Sequence, residues 1–260
     1  MSKCRLCHNN SLDGLFSEKI LNKYTVKYFL CKECKSIQSD EPFWLEESYS
    51  ESINLSDTGI IQRNISLSKI ISLLLFLLKL VDKKRTFLDF GGGYGIFTRL
   101  MRDVGFDYYW EDSFSKNYLA RGFEGEASHY DLITCFEVFE HLVSPKEVIT
   151  NLTSKADIVV FTTLLYGDTP PDKKKWEYYS FSHGQHIHFY NINTLKYIAK
   201  DVGLNLLTDG KSIHILSKRT IPKYYLFISK ALYKLGMFYL VKKIISSKTI
   251  EDSISMKNKE

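Results

Sequence analysis

The sequence predicts an α/β protein with a doubly wound, mostly parallel sheet, an antiparallel strand at the C-terminal edge of that sheet, a small N-terminal module and C-terminal helices. Three observations predict this architecture. Short apolar runs alternate with helical patterns over residues 85–217, and such alternation builds a parallel sheet covered on both faces. Two Cys-x-x-Cys pairs lie within the first 34 residues. A basic, aromatic segment of helical periodicity follows residue 220.

The composition is ordinary for a soluble globular protein and excludes few functions. The chain has 260 residues, of which 44% are hydrophobic and 25% charged. Its net charge of +5 permits an anionic small-molecule partner but does not indicate nucleic acid by itself. The N-terminal stretch MSKCRLCHNN lacks an apolar core, so we expect a cytoplasmic protein. The longest apolar run, residues 70–81, is too short to span a bilayer and predicts a buried helix.

Four of the five cysteines form two pairs with 23 residues between them. Disulfides are disfavoured inside cells, and two Cys-x-x-Cys pairs at this spacing are typical of a four-thiolate zinc site. Because four thiolates fill a tetrahedron, we expect a structural Zn²⁺; a redox or catalytic centre is the alternative. The fifth, Cys135, is expected to be a core thiol. The predicted metal ligands are Cys4, Cys7, Cys31 and Cys34.

The elements after the cysteine module follow one another in a regular order. A long helix is predicted for TGIIQRNISLSKIISLLLFLLKLVDKK. After it, the predicted strands are TFLDF, FDYYWED, YDLITCFEVF and ADIVVFTTLL, separated by the helices GIFTRLMRDVG, SKNYLARG and SPKEVITNLTSK. A helix over NTLKYIAKDVGL and a hairpin around Asp209-Gly210 complete the sheet.

The same pattern predicts the domain boundaries. Residues 1–42 form the cysteine module, residues 43–84 a helical cap or linker, residues 85–220 the α/β domain and residues 221–260 the C-terminal amphipathic helices. The C-terminal segment could bind a membrane surface. Packing on its own domain or on a second subunit is the interpretation that we favour.

The stretch FLDFGGGYGIFTRL contains the pattern D-x-G-x-G-x-G, from Asp89 through Gly91, Gly93 and Gly95. In a doubly wound sheet the ligand binds at the carboxyl ends of the strands, and glycine lets the backbone approach it closely. The spacing differs from the dinucleotide fingerprint G-x-G-x-x-G, because a single residue separates Gly93 from Gly95. We interpret Gly92 as a position at which the pattern tolerates any residue.

The next predicted strand ends in two acidic residues, Glu111 and Asp112. An acidic residue at this point can accept hydrogen bonds from both ribose hydroxyls of a ligand. Asp89, which precedes the glycines, could orient an ammonium group. Together these features favour an adenosyl ligand that carries an amino acid and no pyrophosphate. The alternative is an ordinary tight turn with surface acids.

These segments resemble class I S-adenosylmethionine-dependent methyltransferases. The glycine stretch resembles their first motif, and YDLITCFEVFEHLVSPKEV resembles their fourth strand, with Glu137, Glu140 and His141 matching an E-x-x-E-H run of one large subfamily. The segment GQHIHFYNINTLKYIAKDVGLNL resembles the later part of that subfamily. The cysteine module, including CKECKSIQSD, resembles the zinc-binding domain of sugar C-methyltransferases that act on nucleotide-linked keto sugars.

The resemblance implies a Rossmann-like methyltransferase sheet, S-adenosyl-L-methionine as cofactor, structural Zn²⁺, and a sugar or nucleotide-sugar substrate in glycan biosynthesis. Two features depart from the family. The third strand is cut down to a stretch like GFEGE, and the large C-terminal domain of the keto-sugar enzymes is replaced by the basic aromatic segment. The residues expected to contact the cofactor are Asp89, Gly91, Gly93, Gly95, Glu111, Asp112 and Glu137.

A polar stretch after the fifth strand supplies the candidate catalytic groups. Methyl transfer is an in-line displacement that chiefly needs alignment, and a neutral His can remove a proton from a hydroxyl or from a carbon beside a ketone. The stretch holds no acidic ligand among its histidines, so we favour a base over a metal. His186 matches the His of the family and is the first candidate base; hydrogen-bonded or exposed histidines without a catalytic role are the alternative. The other candidates are His183, His188 and His141 for catalysis, and Tyr178, Tyr179, Gln185 and Tyr190 for the substrate.

Two other functions are compatible with the sequence. In an RNA methyltransferase the zinc module would bind nucleic acid, but the basic residues are scattered apart from DKKKW and the C-terminal segment. A non-catalytic binding protein could keep the same fold. The intact glycine pattern and the acid after the second strand argue against that third function.

Overall fold

The computed structural model describes residues 3–50, 53 and 57–258. The strands in these residues are β1 (Leu12–Ile20), β2 (Tyr24–Cys31), β3 (Ile37–Ser39), β4 (Thr86–Phe90), β5 (Asp107–Glu111), β6 (Leu132–Phe136), β7 (Ile158–Thr162), β8 (His188–Phe189), β9 (Asn205–Thr208) and β10 (Ile213–Ser217). The α-helices are α1 (Leu45–Ser48), α2 (Ile60–Leu77), α3 (Ile96–Val104), α4 (Pro145–Lys155), α5 (Ile192–Asp201), α6 (Tyr224–Lys234), α7 (Phe238–Ile244) and α8 (Thr249–Lys257). Two short 3₁₀ helices cover Phe139–His141 and Glu177–Tyr179.

The larger sheet has six strands in the order β5-β4-β6-β7-β10-β9. Strand β4 pairs in parallel with β5 and with β6, whereas β10 pairs antiparallel with β9. Strand β7 is buried at every position, as expected of an apolar strand inside a parallel sheet. The predicted fold class, a Rossmann-like sheet with one antiparallel edge and C-terminal helices, is confirmed.

The smaller sheet has four strands in the order β1-β2-β3-β8. Its last strand comes from a distant part of the chain, because Ile37 pairs with Phe189 and Gln38 with His188. The sheet packs around a core that includes the buried rings of Tyr28, Phe189 and Tyr179. The cysteine segment therefore shares a sheet and a core with residues that lie about 150 positions further along the chain.

The segment after β5 corrects one prediction, because SKNYLARG is not a helix. The backbone N–H of Ala120 donates to the Asn117 side chain, and the N–H groups of Tyr118 and Leu119 donate to the Tyr94 carbonyl. Such side-chain and loop acceptors compete with helical hydrogen bonds.

The shortened third strand survives as one β-bridge. Glu124 lies beside Trp110 in parallel orientation. The Trp110 N–H donates to the Phe123 carbonyl, and the Gly125 N–H donates to the Trp110 carbonyl. The prediction that this strand is reduced to GFEGE is therefore confirmed.

Helix α2 lies within the segment predicted as a long helix and ends at Leu77, before the last residues of that segment. It has the length and apolar character that a membrane crossing would need, yet 44% of its most apolar window is buried, and buried core helices share these properties. It packs against α3, α6 and α7. These contacts agree with the predicted buried helix.

The chain divides into two compact units. The first comprises Met1–Asn54, Phe136–Ser154 and Val160–Arg219, and the second comprises Leu55–Cys135, Lys155–Val159 and Thr220–Glu260. The first unit holds the four paired cysteines and all four candidate histidines. The second holds the glycine loop between β4 and α3 together with the C-terminal helices.

Candidate functional site

The glycine loop between β4 and α3 has the backbone that its sequence requires. Gly91, Gly93 and Gly95 all have positive φ, at 70°, 53° and 85°. L-residues rarely adopt this region, so glycine is needed at each position. A Cβ at Gly93 would have no described atom within 4 Å, so this part of the backbone is open for a ligand to approach.

The prediction that any residue could stand at position 92 is wrong, because a side chain there would overlap its neighbours. A Cβ there would lie 2.7 Å from Cδ1 of Trp110 and 2.8 Å from Oδ2 of Asp89. Both distances are far shorter than a carbon contact allows. The sequence pattern could not show this restriction, since it arises from packing against another strand.

The end of β5 holds the loop through four hydrogen bonds. The Glu111 carbonyl accepts from the N–H groups of Gly91 and Gly92, at 2.8 and 3.2 Å. Asp112 Oδ2 accepts from the Gly93 N–H at 2.9 Å, and Trp110 Nε1 donates to the Gly93 carbonyl at 2.8 Å. The predicted acidic residues therefore do adjoin the glycine loop.

Asp112 and Glu111 differ in their surroundings. Asp112 Oδ1 accepts from the N–H groups of Phe114 and Ser115, both at 2.7 Å. The Glu111 side chain lies 4.0 Å from the ammonium of Lys155. Both carboxylates are half-buried. A carboxylate oxygen has two lone pairs, so Asp112 can also accept from a ribose hydroxyl.

Asp89 is buried inside the second unit. Its Oδ2 accepts from the Thr98 hydroxyl at 3.0 Å, and its Oδ1 accepts from the Thr134 hydroxyl at 3.1 Å. Burial raises the pKa of Asp89 to about 7. The carboxyl group thus connects β4 to α3 and β6 next to the loop. Its contact with an ammonium group stays a prediction.

The loop residues fit an S-adenosylmethionine ligand. The open backbone at Gly93 gives the ligand room, and Asp112 presents a half-buried acceptor beside it. A phosphate-free ligand needs no cationic side chain here. These are the residues of the second unit that would hold the cofactor.

The four paired cysteines of the first unit come together as predicted. Their sulfur atoms all lie within 4.8 Å of one another. Cys4 Sγ is 3.6 Å from Cys34 Sγ, and Cys7 Sγ is 3.5 Å from Cys31 Sγ. The hydrogen bond with Cys34 lowers the pKa of Cys4 to about 4. Four sulfurs at these separations are a suitable donor set for a tetrahedral Zn²⁺.

His186 and His141 lie together in the first unit. Their ring centroids are 4.9 Å apart, with the rings nearly perpendicular. His186 Nδ1 is 2.6 Å from the Tyr178 carbonyl, and His141 Nδ1 is 2.7 Å from the Tyr49 hydroxyl. A carbonyl only accepts, so Nδ1 of His186 carries the proton and Nε2 keeps its lone pair. Burial lowers the pKa of His186 to about 4, so its ring is neutral at pH 7.

Glu140 is the residue of this region to which the sequence assigned no role. Its side chain is buried and its Oε1 accepts from the Tyr178 hydroxyl at 2.6 Å. Its Oε2 has no hydrogen-bond partner among the described residues. Burial, together with the charge of Glu137, raises the pKa of Glu140 to about 8. The E-x-x-E-H run contained this residue, but only the fold brings it to His186.

His183 and His188 have different surroundings. The His183 ring lies 5.5 Å from that of His186. His188 is fully buried in β8, where it stacks on Tyr190 at 5.1 Å. The structure thus brings His141, His183 and His186 together and places His188 in the core of the smaller sheet.

The remaining candidates make contacts within the protein, and their roles toward ligands stay predictions. Glu137 is bound through Oε1 to the Thr162 hydroxyl at 2.7 Å. The substrate candidates bond as follows: Tyr178 to Glu140, Tyr179 to the Pro171 carbonyl, Gln185 to the Ser48 carbonyl and Tyr190 to the Phe139 carbonyl.

Several solved structures resemble this chain at low identity. Magnesium protoporphyrin IX methyltransferase from Synechocystis PCC 6803, with bound SAH, is 13% identical over 67% of this chain and 93% of its own, with a TM-score of 0.44. TnmH is 13% identical over 68% and 62%, with a TM-score of 0.45. CalO1, a methyltransferase in calicheamicin biosynthesis, is 15% identical over 59% and 54%, with a TM-score of 0.40. The chain thus spans about half the length of CalO1.

The family is shown by a sequence model. No curated protein matches the chain. The model described as a methyltransferase domain matches residues 61–209, which is more than half of the chain. That range includes the glycine loop, the E-x-x-E-H run and His186. The chain therefore belongs to the methyltransferase-domain family and is an S-adenosylmethionine-dependent methyltransferase.

Proposed function

We propose that this enzyme methylates a sugar or nucleotide-linked sugar in glycan biosynthesis, with a histidine as general base. The observation that carries the proposal is the hydrogen bond from His186 Nδ1 to the Tyr178 carbonyl. This bond fixes the tautomer of the ring and leaves a lone pair on Nε2. A neutral imidazole held in this way can take a proton from an acceptor group.

The methyl donor supplies an electrophilic carbon on a sulfonium, and the protein aligns the acceptor with it. His186 would accept the proton of the acceptor at Nε2. Its half-buried position limits access of water. The low pKa keeps the ring unprotonated, so the base is available across the neutral range.

Aromatic side chains near His186 support a sugar as the acceptor. The Tyr178 ring lies 4.6 Å from the His186 ring, and the Trp176 ring lies 5.3 Å from that of Tyr178. Both rings are half-buried. Flat aromatic faces pack well against the C–H faces of sugars and against nucleobases.

We also propose that the four cysteines hold a structural Zn²⁺. Four thiolates leave no open coordination position, so the ion would stabilise the fold and take no part in catalysis. Contact of the C-terminal helices with a membrane surface or a second subunit, and a cytoplasmic location, likewise remain proposals. Several apolar side chains of these helices are exposed: Tyr224, Phe227, Leu235, Tyr239, Leu240 and Ile244.

The test is a methyl-transfer assay against pools of nucleotide-sugars and extracted glycans, with detection of the product by mass. We expect a product about 14 Da heavier than its acceptor, because methylation adds a net CH₂. His186→Gln should lower kcat by roughly 10²–10⁴-fold while calorimetry shows unchanged binding of S-adenosylmethionine. The matched control is His129→Gln, since His129 is exposed and is not one of the candidate site residues.

Two results would contradict the proposal. If His186→Gln kept the full rate, another group would be the base. If the enzyme methylated RNA instead of sugars, with a steep dependence on salt, the RNA methyltransferase alternative would be supported.

A further inference from the structure

We infer that Glu140, His141 and His186 bind one divalent metal ion, at a site distinct from the four cysteines. Each of the three side chains offers one ligand atom, and these atoms all lie within 4.8 Å of one another. Metal–ligand bonds of about 2.0–2.2 Å place two donors at most about 4.4 Å apart, so small side-chain rotations would bring all three onto a single ion. The three residues are called the histidine–glutamate cluster below.

The carboxylate of Glu140 is the strongest indication. The side chain is fully buried, yet Oε2 lacks a hydrogen-bond partner among the described residues. Burying a polar group without a partner is costly, and burying an unpaired charge is more so. A cation bound at Oε2 would supply the missing partner.

The orientation of the two imidazoles is the second indication. In both rings Nδ1 is already bound, to the Tyr178 carbonyl in His186 and to the Tyr49 hydroxyl in His141. Metal-binding histidines usually donate their second ring N–H to an oxygen acceptor, which fixes the ring and its tautomer. The Nε2 atoms of both residues are therefore the ones left for an ion.

Tyr178 forms hydrogen bonds with two of the three proposed ligands. Its carbonyl accepts from His186, and its hydroxyl donates to Glu140 Oε1 at 2.6 Å. Tyr178 thus positions His186 through its backbone carbonyl and Glu140 through its side-chain hydroxyl. Supporting partners of this kind commonly orient the direct ligands of a metal.

The donor set selects the kind of metal. Two imidazole nitrogens and one carboxylate oxygen suit Zn²⁺, Fe²⁺ or Mn²⁺, whereas four thiolates suit Zn²⁺ and softer ions. Three protein ligands also leave coordination positions open. If the enzyme methylates a hydroxyl, as proposed above, that hydroxyl could occupy one of these positions. With the ion bound, His186 Nε2 would be a metal ligand and the cation would lower the pKa of the hydroxyl; the free imidazole would act as base only in the metal-free enzyme.

Mn²⁺ binding, measured by electron paramagnetic resonance and calorimetry, tests the inference without an activity assay. The four-cysteine site is first loaded with one equivalent of Zn²⁺, so that no excess Zn²⁺ occupies the histidine–glutamate cluster. We expect the wild type to bind one Mn²⁺ per chain. Glu140→Gln and His186→Ala should each weaken that binding at least ~10-fold.

Matched controls separate the site from the rest of the chain. Glu177→Gln and His129→Ala alter an exposed carboxylate and an exposed imidazole and should bind Mn²⁺ like the wild type. Cys7→Ser should lose Zn²⁺ and keep Mn²⁺. For the wild type alone, Mn²⁺ should also raise Tm, because it binds only the folded state; this measurement does not depend on any variant folding.

Two outcomes would overturn the inference. The wild type could fail to bind Mn²⁺ or Zn²⁺ at millimolar concentration outside the cysteine site, or folded Glu140→Gln and His186→Ala could bind Mn²⁺ as tightly as the wild type. Calorimetry with S-adenosylmethionine is run in parallel. If the wild type binds S-adenosylmethionine but no Mn²⁺, this metal site is rejected; if it binds Mn²⁺ but no S-adenosylmethionine, the proposed function is rejected.

Discussion

Trp110 Nε1 donates a hydrogen bond to the Gly93 carbonyl at 2.8 Å, and the same indole ring fills the space beside Gly92. The Trp110 ring near the end of β5 therefore fixes the position of the glycine loop. It also limits the size of the residue at position 92 of that loop. Because Gly93 itself stays open, one ring holds the loop without covering the backbone that a ligand would approach.

Gly92→Ala is expected to destabilise the protein by about 1–3 kcal/mol and to weaken binding of S-adenosylmethionine, because the new methyl group would overlap Trp110 and Asp89. Urea denaturation and calorimetry measure the two effects. The control is Gly167→Ala, where a Cβ meets no described atom within 4 Å. Equal stability of Gly92→Ala and the wild type would show that the loop yields easily.

Asp89 should make stability depend on pH. Its pKa is raised by burial to about 7 in the folded state, from the ordinary value of 3.8. The folded protein therefore binds more protons than the unfolded chain between these values, and the free energy of unfolding falls as pH rises from about 4 to about 7. This contribution is fully present below pH 4 and lost above pH 7.

Asp89→Asn should flatten that pH dependence, since an amide does not titrate. Denaturation at a series of pH values measures the slope, with the exposed Asp168→Asn as control. An unchanged slope in Asp89→Asn would assign the dependence to other groups.

Asp252 anchors α8 through a buried, bidentate ion pair with Arg102. Arg102 Nε and Nη2 donate to its two oxygens at 2.8 and 2.7 Å, and Arg99 Nη2 donates to Oδ2 at 2.8 Å. Among the described residues, Asp252→Ala leaves the buried guanidinium with Asp107 and the Tyr108 carbonyl as its acceptors. We therefore expect a loss of about 3 kcal/mol in urea denaturation.

The neighbouring Glu251 provides a control for that experiment, because its side chain is 73% exposed. Glu251→Ala should change stability by less than ~0.5 kcal/mol. If the two variants were equally stable, α8 would not depend on this ion pair.

The four-cysteine site should hold one Zn²⁺ per chain. Cys34→Ser is expected to lose the metal and to lower Tm, because the ion joins β2 and the turn at its end to the N-terminal turn. Metal analysis and thermal unfolding measure both effects. Cys135→Ala lies outside the group and should keep its zinc; loss of zinc in that variant would contradict the assignment.

Local patterns in the sequence predicted those features that depend on few neighbours. The Cys-x-x-Cys spacing predicted which four cysteines lie together. The positive φ angles of Gly91, Gly93 and Gly95 follow from a loop that only glycine can form easily. The parallel sheet and its antiparallel hairpin follow from the order of apolar runs. The helix predicted over SKNYLARG was wrong, because the Tyr94 carbonyl and the Asn117 side chain accept from its N–H groups.

The amino-acid sequence by itself determined the fold class, the glycine loop and the cluster of four cysteines, since each rests on a short-range periodicity or spacing. Only the tertiary structure decided that Gly92 must be small, that Asp252 binds Arg102, and that Glu140 meets His186. Each of these three facts joins residues from separate parts of the chain. Contacts of that kind depend on how strands and loops pack in space, and no local pattern encodes them.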